Sequence, residues 1–138
     1  MTRYLVLDAG PAQAFIQHKS PDFERVFEYI RRGIVVGMSY PTLGEVQGGF
    51  EASASRERNL RSLRASFQWL KRWPFDLDAV QIYAVLAGKL RLAGRSIGQI
   101  DLQVAAVALS KGNAIVATDD NDLFAVPGLT VENWLDKP

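Results

Sequence analysis

The sequence predicts an α/β fold of three layers, α/β/α, in which helices cover both faces of a central, mostly parallel sheet of about four to five strands. Short apolar runs of strand length alternate with longer segments that show helical periodicity. The apolar runs lack an alternating polar face, which is typical of parallel strands buried on both sides. The chain has 138 residues, the length of one domain, so we expect a single domain over residues 1–138.

The predicted strands are short apolar segments that contain valine, isoleucine and leucine. They occupy residues 3–8, 34–38, 114–117 and 129–131, with residues 73–75 as a further candidate. Each is bounded by residues that favour turns or helix starts, so the chain leaves each strand at a defined point.

The predicted helices begin and end at residues suited to those places. Pro11 suits the first helical position after the first strand, and Gly33 ends a helix over residues 22–32. Pro41 opens the next helix, with Tyr40 as its cap. The remaining helices are predicted over residues 55–72, from Asp78 to Gly94 and over residues 97–111. The last of these is apolar nearly all round, which predicts a buried helix.

The composition limits the available chemistry. There is no cysteine, which excludes disulfides, thiol catalysis and cysteine-bound zinc, and His18 is the one histidine. No apolar run approaches the ~20 residues of a membrane span, and Asp8 interrupts the N-terminal apolar run too early for a signal peptide. We therefore expect a soluble, cytoplasmic protein without membrane contact, whose ionisable chemistry rests on carboxylates, lysine and arginine.

Acidic residues follow the predicted strands at points that a parallel sheet brings together. One comes directly after the first strand, one lies early in the helix after the second strand, one begins the helix before the 114–117 strand, and three come after that strand. They are Asp8, Glu45, Asp101, Asp119, Asp120 and Asp122. Parallel strands bind ligands beyond their carboxyl ends, so these acids can meet at one edge of the sheet.

Carboxylates gathered in one crevice repel each other, and each loses hydration. A hard cation relieves both costs, and a set of oxygen ligands selects Mg²⁺ or Mn²⁺. Such an ion clamps phosphates and lowers the pKa of a bound water, which can then attack in line. The pattern therefore indicates phosphate chemistry at this edge.

Each acid also has an ordinary interpretation. Asp8 could cap the helix that follows it, and Thr42 with Glu45 fits a capping box. Asp101 could be a first-turn acid favoured by the helix dipole. Residues 119–122 could be turn residues. For each acid taken alone, except Asp8, the ordinary explanation is preferred. For all the acids together, their placement along one sheet favours a metal site.

Basic residues are concentrated in the middle of the chain. No acid occurs over residues 58–75 or 79–100, so this region can hold a polyanion. Arg58, Arg61 and Arg64 lie at three-residue spacing on one helix face, which indicates either a solvated face or an RNA-binding surface.

Four segments carry a resemblance to a known family. They are residues 5–8 (LVLD), 39–45 (SYPTLGE), 93–101 (AGRSIGQID) and 117–124 (ATDDNDLF). On these segments the chain resembles PIN-domain ribonucleases, specifically the VapC-type toxins of bacterial toxin–antitoxin pairs. The resemblance covers essentially the whole chain, and residues 93–101 are its most specific stretch.

The resemblance implies a metal-centred set of acids. Asp8, Glu45, Asp101 and Asp120 match the family's catalytic positions, Asp122 is a fifth candidate ligand, and Asp119 falls at a variable position. Thr118 matches a supporting hydroxyl. One departure is Ala9-Gly10, where the family usually carries Thr or Ser followed by Asn or Ser, so a hydroxyl near the first acid is lost.

The implied function is a Mg²⁺- or Mn²⁺-dependent endoribonuclease that cuts phosphodiester bonds in RNA. A cognate antitoxin protein and a homodimer are implied partners. The alternative is a catalytically inactive PIN-like domain that binds protein or RNA, which the Ala9-Gly10 departure favours. A receiver domain or a haloacid-dehalogenase-type phosphatase lacks support, since neither pattern of acids occurs after the first strand.

Overall fold

The structure, a computed structural model, describes residues 1–135. Its strands are β1 (Tyr4–Leu7), β2 (Val35–Ser39), β3 (Lys71–Trp73), β4 (Ala114–Thr118) and β5 (Thr130–Asn133). Its helices are α1 (Ala9–Ile16), α2 (Asp22–Arg31), α3 (Tyr40–Glu51), α4 (Arg56–Ser66), α5 (Leu77–Leu92) and α6 (Gln99–Lys111), with a 3₁₀ helix at Asp122–Ala125. No helix within these residues is long and apolar enough to cross a lipid bilayer.

The five strands form one sheet in the order β3-β2-β1-β4-β5, and every neighbouring pair is parallel. The central strand β1 therefore lies between β2 and β4, with Leu7 opposite Ala117. The predicted α/β class with a parallel sheet is confirmed. All carboxyl ends of the strands point to the same edge, which we call the carboxyl edge.

Two hydrophobic cores lie on opposite faces of this sheet because successive strand side chains point to opposite sides. Leu5 and Leu7 pack with apolar residues of α1, α2, α3 and α4. Val6 and Val116 pack with apolar residues of α5 and α6 on the other face. The predicted three layers are therefore present, and α6 is buried as its nearly continuous apolar sequence predicts.

The structure corrects one predicted boundary, that between α4 and β3. The helix ends at Ser66 and not at residue 72, and the strand occupies Lys71–Trp73, whereas the sequence pattern indicated residues 73–75. The apolar positions Phe67 and Leu70 continue the helical spacing, although residues 67–69 form tight i→i−3 turns. Gly37 on β2 permits the strand pairing, because a Cβ there would lie 2.4 Å from the Lys71 carbonyl oxygen.

Three predicted helix starts were also wrong. Asp76 caps α5 by accepting a hydrogen bond from the Ala79 N–H, so Asp78 lies inside the helix. Ser39 caps α3 in place of Tyr40. The first helix begins at Ala9, two residues before Pro11. These three helices begin one or two positions earlier in the chain than the pattern indicated, whereas α6 begins at Gln99, two positions later than the predicted residue 97.

Candidate metal centre

The centre of the carboxyl edge is the point where the chain changes direction across the sheet. From β1 the chain proceeds to β2 and β3 on one side, and then returns to β4 and β5 on the other. A parallel α/β sheet has its ligand crevice at such a switch point. The residues that follow β1 and β4, beginning with Asp8 and Thr118, border this crevice.

Asp8 is fixed at this point by the neighbouring strand. Its side chain is 5% exposed, and Oδ2 accepts a 2.9 Å hydrogen bond from the Thr118 hydroxyl. Burial raises the pKa of Asp8, and the charges of Asp120 and Asp119 raise it further, whereas hydrogen bonds from the Ala9 N–H and the Thr118 hydroxyl lower it. Asp8 precedes α1 but makes no side-chain cap of the helix, which contradicts the capping interpretation.

Thr118 connects two of the acids. Its hydroxyl oxygen donates to Asp8 and also accepts from the backbone N–H of Asp120 at 3.3 Å. The threonine is fully buried at the end of β4, so its position is set by the sheet. This side chain is the supporting hydroxyl that the sequence resemblance implies.

Asp120 also belongs to a group of three carboxylates. Asp101, Asp120 and Asp122 each place an oxygen within 4.8 Å of the other two. Asp101 comes from the first turn of α6, whereas Asp120 and Asp122 lie in the turn after β4. Asp120 accepts a 2.9 Å hydrogen bond from the Asp122 N–H, so the turn interpretation of these residues also holds.

The electrostatics show that the acids act on one another. The pKa of Asp101 rises from 3.8 to about 6, first because of burial and then because of the charges of Asp8, Asp120, Asp122 and Glu45. Both causes disfavour the charged form of the carboxyl, and a bound cation would oppose both. The side chains therefore form one electrostatic unit, which we call the acid cluster: Asp8, Glu45, Asp101, Asp120 and Asp122.

Glu45 approaches the same unit from α3. Burial raises its pKa first, and the charges of Asp8 and Asp119 raise it further. A capping box between Thr42 and Glu45 would need Thr42 to be the cap of the helix. The cap of α3 is Ser39, and Thr42 lies inside the helix. The capping explanation of Glu45 is therefore wrong, and its carboxylate is available to the crevice.

The sequence analysis named Asp119 among the acids of this edge but left it out of the metal-centred set, and it missed the contact of this residue with Gly10. Its carboxylate occupies the space above Gly10, where an added Cβ would lie 1.9 Å from Oδ2. Its charge raises the pKa values of Asp8, Glu45 and Asp22. The sequence feature that points to this contact is Gly10, because a residue without a side chain leaves room for the side chain of a neighbour.

The donor set fits a hard divalent cation. All groups at the crevice are carboxylate or hydroxyl oxygens, which Mg²⁺ and Mn²⁺ prefer to softer ligands. A bound ion would neutralise the repulsion that raises the pKa values of Asp8 and Asp101. The fold and this site together define a class of protein: a parallel α/β domain with a cluster of acids at its switch point that could hold a metal ion.

Comparison with known proteins identifies the family. The PIN-domain family model matches residues 5–129, so this chain belongs to the PIN-domain family. Ribonuclease VapC4 of Mycobacterium tuberculosis is 35% identical over 98 residues, which cover 69% of this chain and 74% of that protein. The chain therefore also belongs with the VapC ribonucleases.

Solved structures agree on the fold over nearly the full length. The VapBC2 complex of Rickettsia felis, bound to a promoter DNA fragment, matches with a TM-score of 0.85 and 25% identity over 95% of this chain and 98% of that one. VapBC-5 of Mycobacterium tuberculosis, a member of a family of toxin–antitoxin systems, matches with a TM-score of 0.68 and 31% identity over 94% and 95%. The sequence resemblance is thereby confirmed.

Proposed function

We propose that this chain is a single-domain, Mg²⁺- or Mn²⁺-dependent endoribonuclease and the toxin of a toxin–antitoxin pair. The observation that carries the proposal is the acid cluster at the switch point of a PIN-domain sheet. The relatives named ribonucleases support RNA as the substrate, and hydrolysis of its phosphodiester bonds is the reaction that such a centre performs. We place the protein in the cytoplasm, where its RNA substrate is found.

The residues have distinct roles in this proposal. Asp8, Asp101 and Asp120 would hold the ion, with Asp122 as a further ligand, and Glu45 would bind it or orient the attacking water. When bound, the ion supplies a Lewis acid and an activated water. Thr118 fixes the Asp8 carboxylate through its 2.9 Å hydrogen bond and so orients the first ligand. The buried position of Asp8 leaves it little freedom to adapt, so the position of this one ligand is set before RNA binds.

We also propose a cognate antitoxin as the partner, because the similar VapBC structures are toxin–antitoxin complexes. An aromatic groove on the α1–α2–α4 side of the sheet offers a protein-binding surface, with Phe23, Phe27 and Trp69 among its lining residues. Trp69 is 46% exposed, although its ring lies 5.2 Å from that of Phe27. A homodimer, as the family resemblance implies, is part of the same proposal.

The test is an RNA cleavage assay with defined metal. Purified protein should cleave RNA in Mg²⁺ or Mn²⁺, should lose activity in EDTA, and should regain it when metal is restored. Asp120→Asn should remain folded and cleave no RNA, because it removes a ligand at an exposed position that contributes little to the core. A wild type that binds RNA without cleaving it under any divalent ion would favour the inactive binding module.

A further inference from the structure

We infer that the RNA strand leaves the acid cluster along a basic groove at the α5–α6 connection, where Arg95 and Arg91 hold its phosphates and Tyr83 stacks on a base. This inference rests on the proposed nuclease function and gives the substrate a path across the surface. We call this surface the α5–α6 groove. It is formed by two cavities on either side of residues 94–97.

The first cavity opens directly beside the acid cluster. Its volume is about 380 Å³, and Arg95, Ser96, Asn121 and Asp122 are among its lining residues. Asp122 belongs at the same time to the group of three carboxylates that can hold a cation. A phosphate at the metal centre therefore has a polar cavity as its immediate neighbour on this side.

The second cavity continues the first across the connection. Its volume is about 370 Å³, and it shares Arg95, Ser96 and Ile97 with the first cavity. On its far side it is lined by Tyr83 and Arg91 of α5 and by Gln99 of α6. The two cavities therefore adjoin each other at Arg95, Ser96 and Ile97, and together they lead from Asp122 past Arg95 to Arg91.

The charge along this track suits a nucleic-acid backbone. Beyond Asp122 the lining includes two arginines and no acid. Both arginines are exposed, and neither forms an ion pair within residues 1–135. The planar guanidinium matches phosphate oxygens in a forked geometry, so these side chains are suited to successive phosphates. Ser96, Gln99 and Asn121 add neutral hydrogen-bonding groups for sugars and base edges.

Tyr83 supplies a base-stacking surface at the far end. Its ring is half-buried and packs edge-on against Phe75, with 5.6 Å between the ring centroids. This contact holds the ring in place before any ligand arrives. A fixed aromatic side chain beside a phosphate-binding arginine is the arrangement with which proteins bind single-stranded nucleic acid without reading its sequence.

The arginines of α4 are a less suitable path. Arg58 lines a cavity with Gln17, His18 and Lys19, which follow the end of α1, whereas Asp8 precedes its start. The eight residues of α1 separate these two points by roughly 12 Å along the helix. Arg58 therefore provides a matched control: an exposed arginine lining a polar cavity at the far end of α1.

The test measures RNA affinity without cleavage. Asp120→Asn protein in Ca²⁺ is titrated against a short fluorescein-labelled RNA of mixed sequence at several salt concentrations. Adding Arg91→Ala and Arg95→Ala should weaken binding roughly tenfold or more per arginine. It should also lower the log–log salt slope by about 0.7 for each phosphate that the protein no longer binds. Arg58→Ala should change neither quantity.

Tyr83→Leu separates stacking from charge. This variant should weaken RNA binding several-fold while the salt slope stays at the value of the parent, because stacking releases no counterions. In otherwise wild-type protein with Mn²⁺, the arginine pair should raise KM and leave kcat unchanged at saturating RNA. A purely structural role of the arginines would not produce this split.

The outcomes distinguish a failure of the inferred RNA path from a failure of the proposed nuclease function. If the wild type cleaves RNA and the arginine pair changes neither affinity nor salt slope, the groove is overturned, and its cavities would suit a protein partner instead. If the wild type cleaves no RNA in any divalent ion, the proposed nuclease function fails. The RNA affinities of the variants then still test whether the α5–α6 groove binds RNA. Equal losses in Arg58→Ala and the arginine pair would also overturn the inference, since the effect would then follow net charge.

Discussion

At the scale of single residues, the site depends on one buried carboxylate, that of Asp8, which a hydrogen bond from the neighbouring strand holds in place. Asp8 accepts hydrogen bonds from the Thr118 hydroxyl and the Ala9 N–H, as an ionised acid should, yet burial still raises its pKa. A side chain that is oriented but incompletely stabilised gains most from a cation.

Asp101→Asn tests the raised pKa that burial and the other acids of the cluster give to Asp101. The pKa of Asp101 is raised to about 6 in the folded protein, so the native state binds a proton more tightly than the unfolded chain. The metal-free wild type should therefore lose stability as the pH rises from about 4 to about 6. Asp101→Asn should show a smaller loss, and above pH 6 it should be at least as stable as the wild type.

The measurement is urea unfolding at several pH values in EDTA, with Glu57→Gln as a control of equal charge change on α4. The control should retain the pH dependence of the wild type. Cleavage by Asp101→Asn in Mn²⁺ should be abolished. A variant with the wild-type pH profile would show that neither burial nor the neighbouring charges raise the pKa of Asp101 in the folded protein.

Gly10 and Asp119 provide a second test at this scale. Gly10→Ala alone forces the Asp119 carboxylate away, because the new Cβ would overlap Oδ2. In an Asp119→Ala background the new Cβ has no carboxylate to overlap. The same change should then raise the free energy of unfolding by up to about 1 kcal/mol, because alanine has a higher helix propensity than glycine in α1. The stability gain should therefore be smaller in the wild type than in that background, as measured by a double-mutant cycle in urea. Equal gains would indicate that Asp119 does not occupy this space.

The sequence predicted the members of the site better than their surroundings. Asp8, Glu45 and Asp101 were found because strand ends and helix starts in a parallel sheet meet at one edge. Asp119 was set aside because it falls at a variable position of the family that the sequence resembles. Its contact with Gly10 joins residues more than a hundred positions apart. Such a contact depends on the register of β1 and β4, which no short motif encodes.

At the scale of elements, the continuity of the apolar pattern decided which boundaries were predicted correctly. The strands β1, β2 and β4 were predicted to within one or two residues because their apolar runs are continuous. The end of α4 was wrong because helical spacing continues into Phe67 and Leu70, although those residues turn towards β3. An edge strand of three residues with one buried side chain has almost no pattern of its own.

Ser39→Ala tests how much the capping residue stabilises α3, the helix that carries Glu45. The Ser39 hydroxyl oxygen accepts from the Thr42 N–H at 3.2 Å and lies 3.1 Å from the Thr42 hydroxyl, and both side chains are fully buried. Ser39→Ala should cost about 1–2 kcal/mol, because it leaves buried polar groups without a partner. Ser55→Ala is the control, since Ser55 precedes α4 but accepts no hydrogen bond from a helix N–H. Chemical denaturation should show a clear loss for the first variant and nearly none for the second.

At the scale of the whole molecule, the sheet order explains why one edge carries the chemistry. β1 is central, and both hydrophobic cores contact it from opposite faces, so the residue after β1 lies in the most constrained part of the protein. The acids then arrive from separate elements: Glu45 from α3, Asp101 from α6 and Asp120 from the turn after β4. The same packing that stabilises the fold therefore brings like charges together, and a cation should stabilise the entire molecule.

This coupling leads to a prediction about metal and stability. A ligand that binds the native state raises stability by mass action, by about 2.7 kcal/mol at a hundredfold excess over its Kd. Mn²⁺ should therefore raise the Tm of the wild type, raise that of Asp8→Asn much less, and raise that of Glu57→Gln fully. Protons compete with the ion for carboxylates whose pKa is raised, to about 6 for Asp101, so the Tm increase should be larger at pH 8 than at pH 5. Differential scanning fluorimetry with Mn²⁺ at both pH values measures this directly. An equal Tm increase in wild type and Asp8→Asn would remove Asp8 from the metal centre, and a Tm increase that did not depend on pH would place the ion away from these carboxylates.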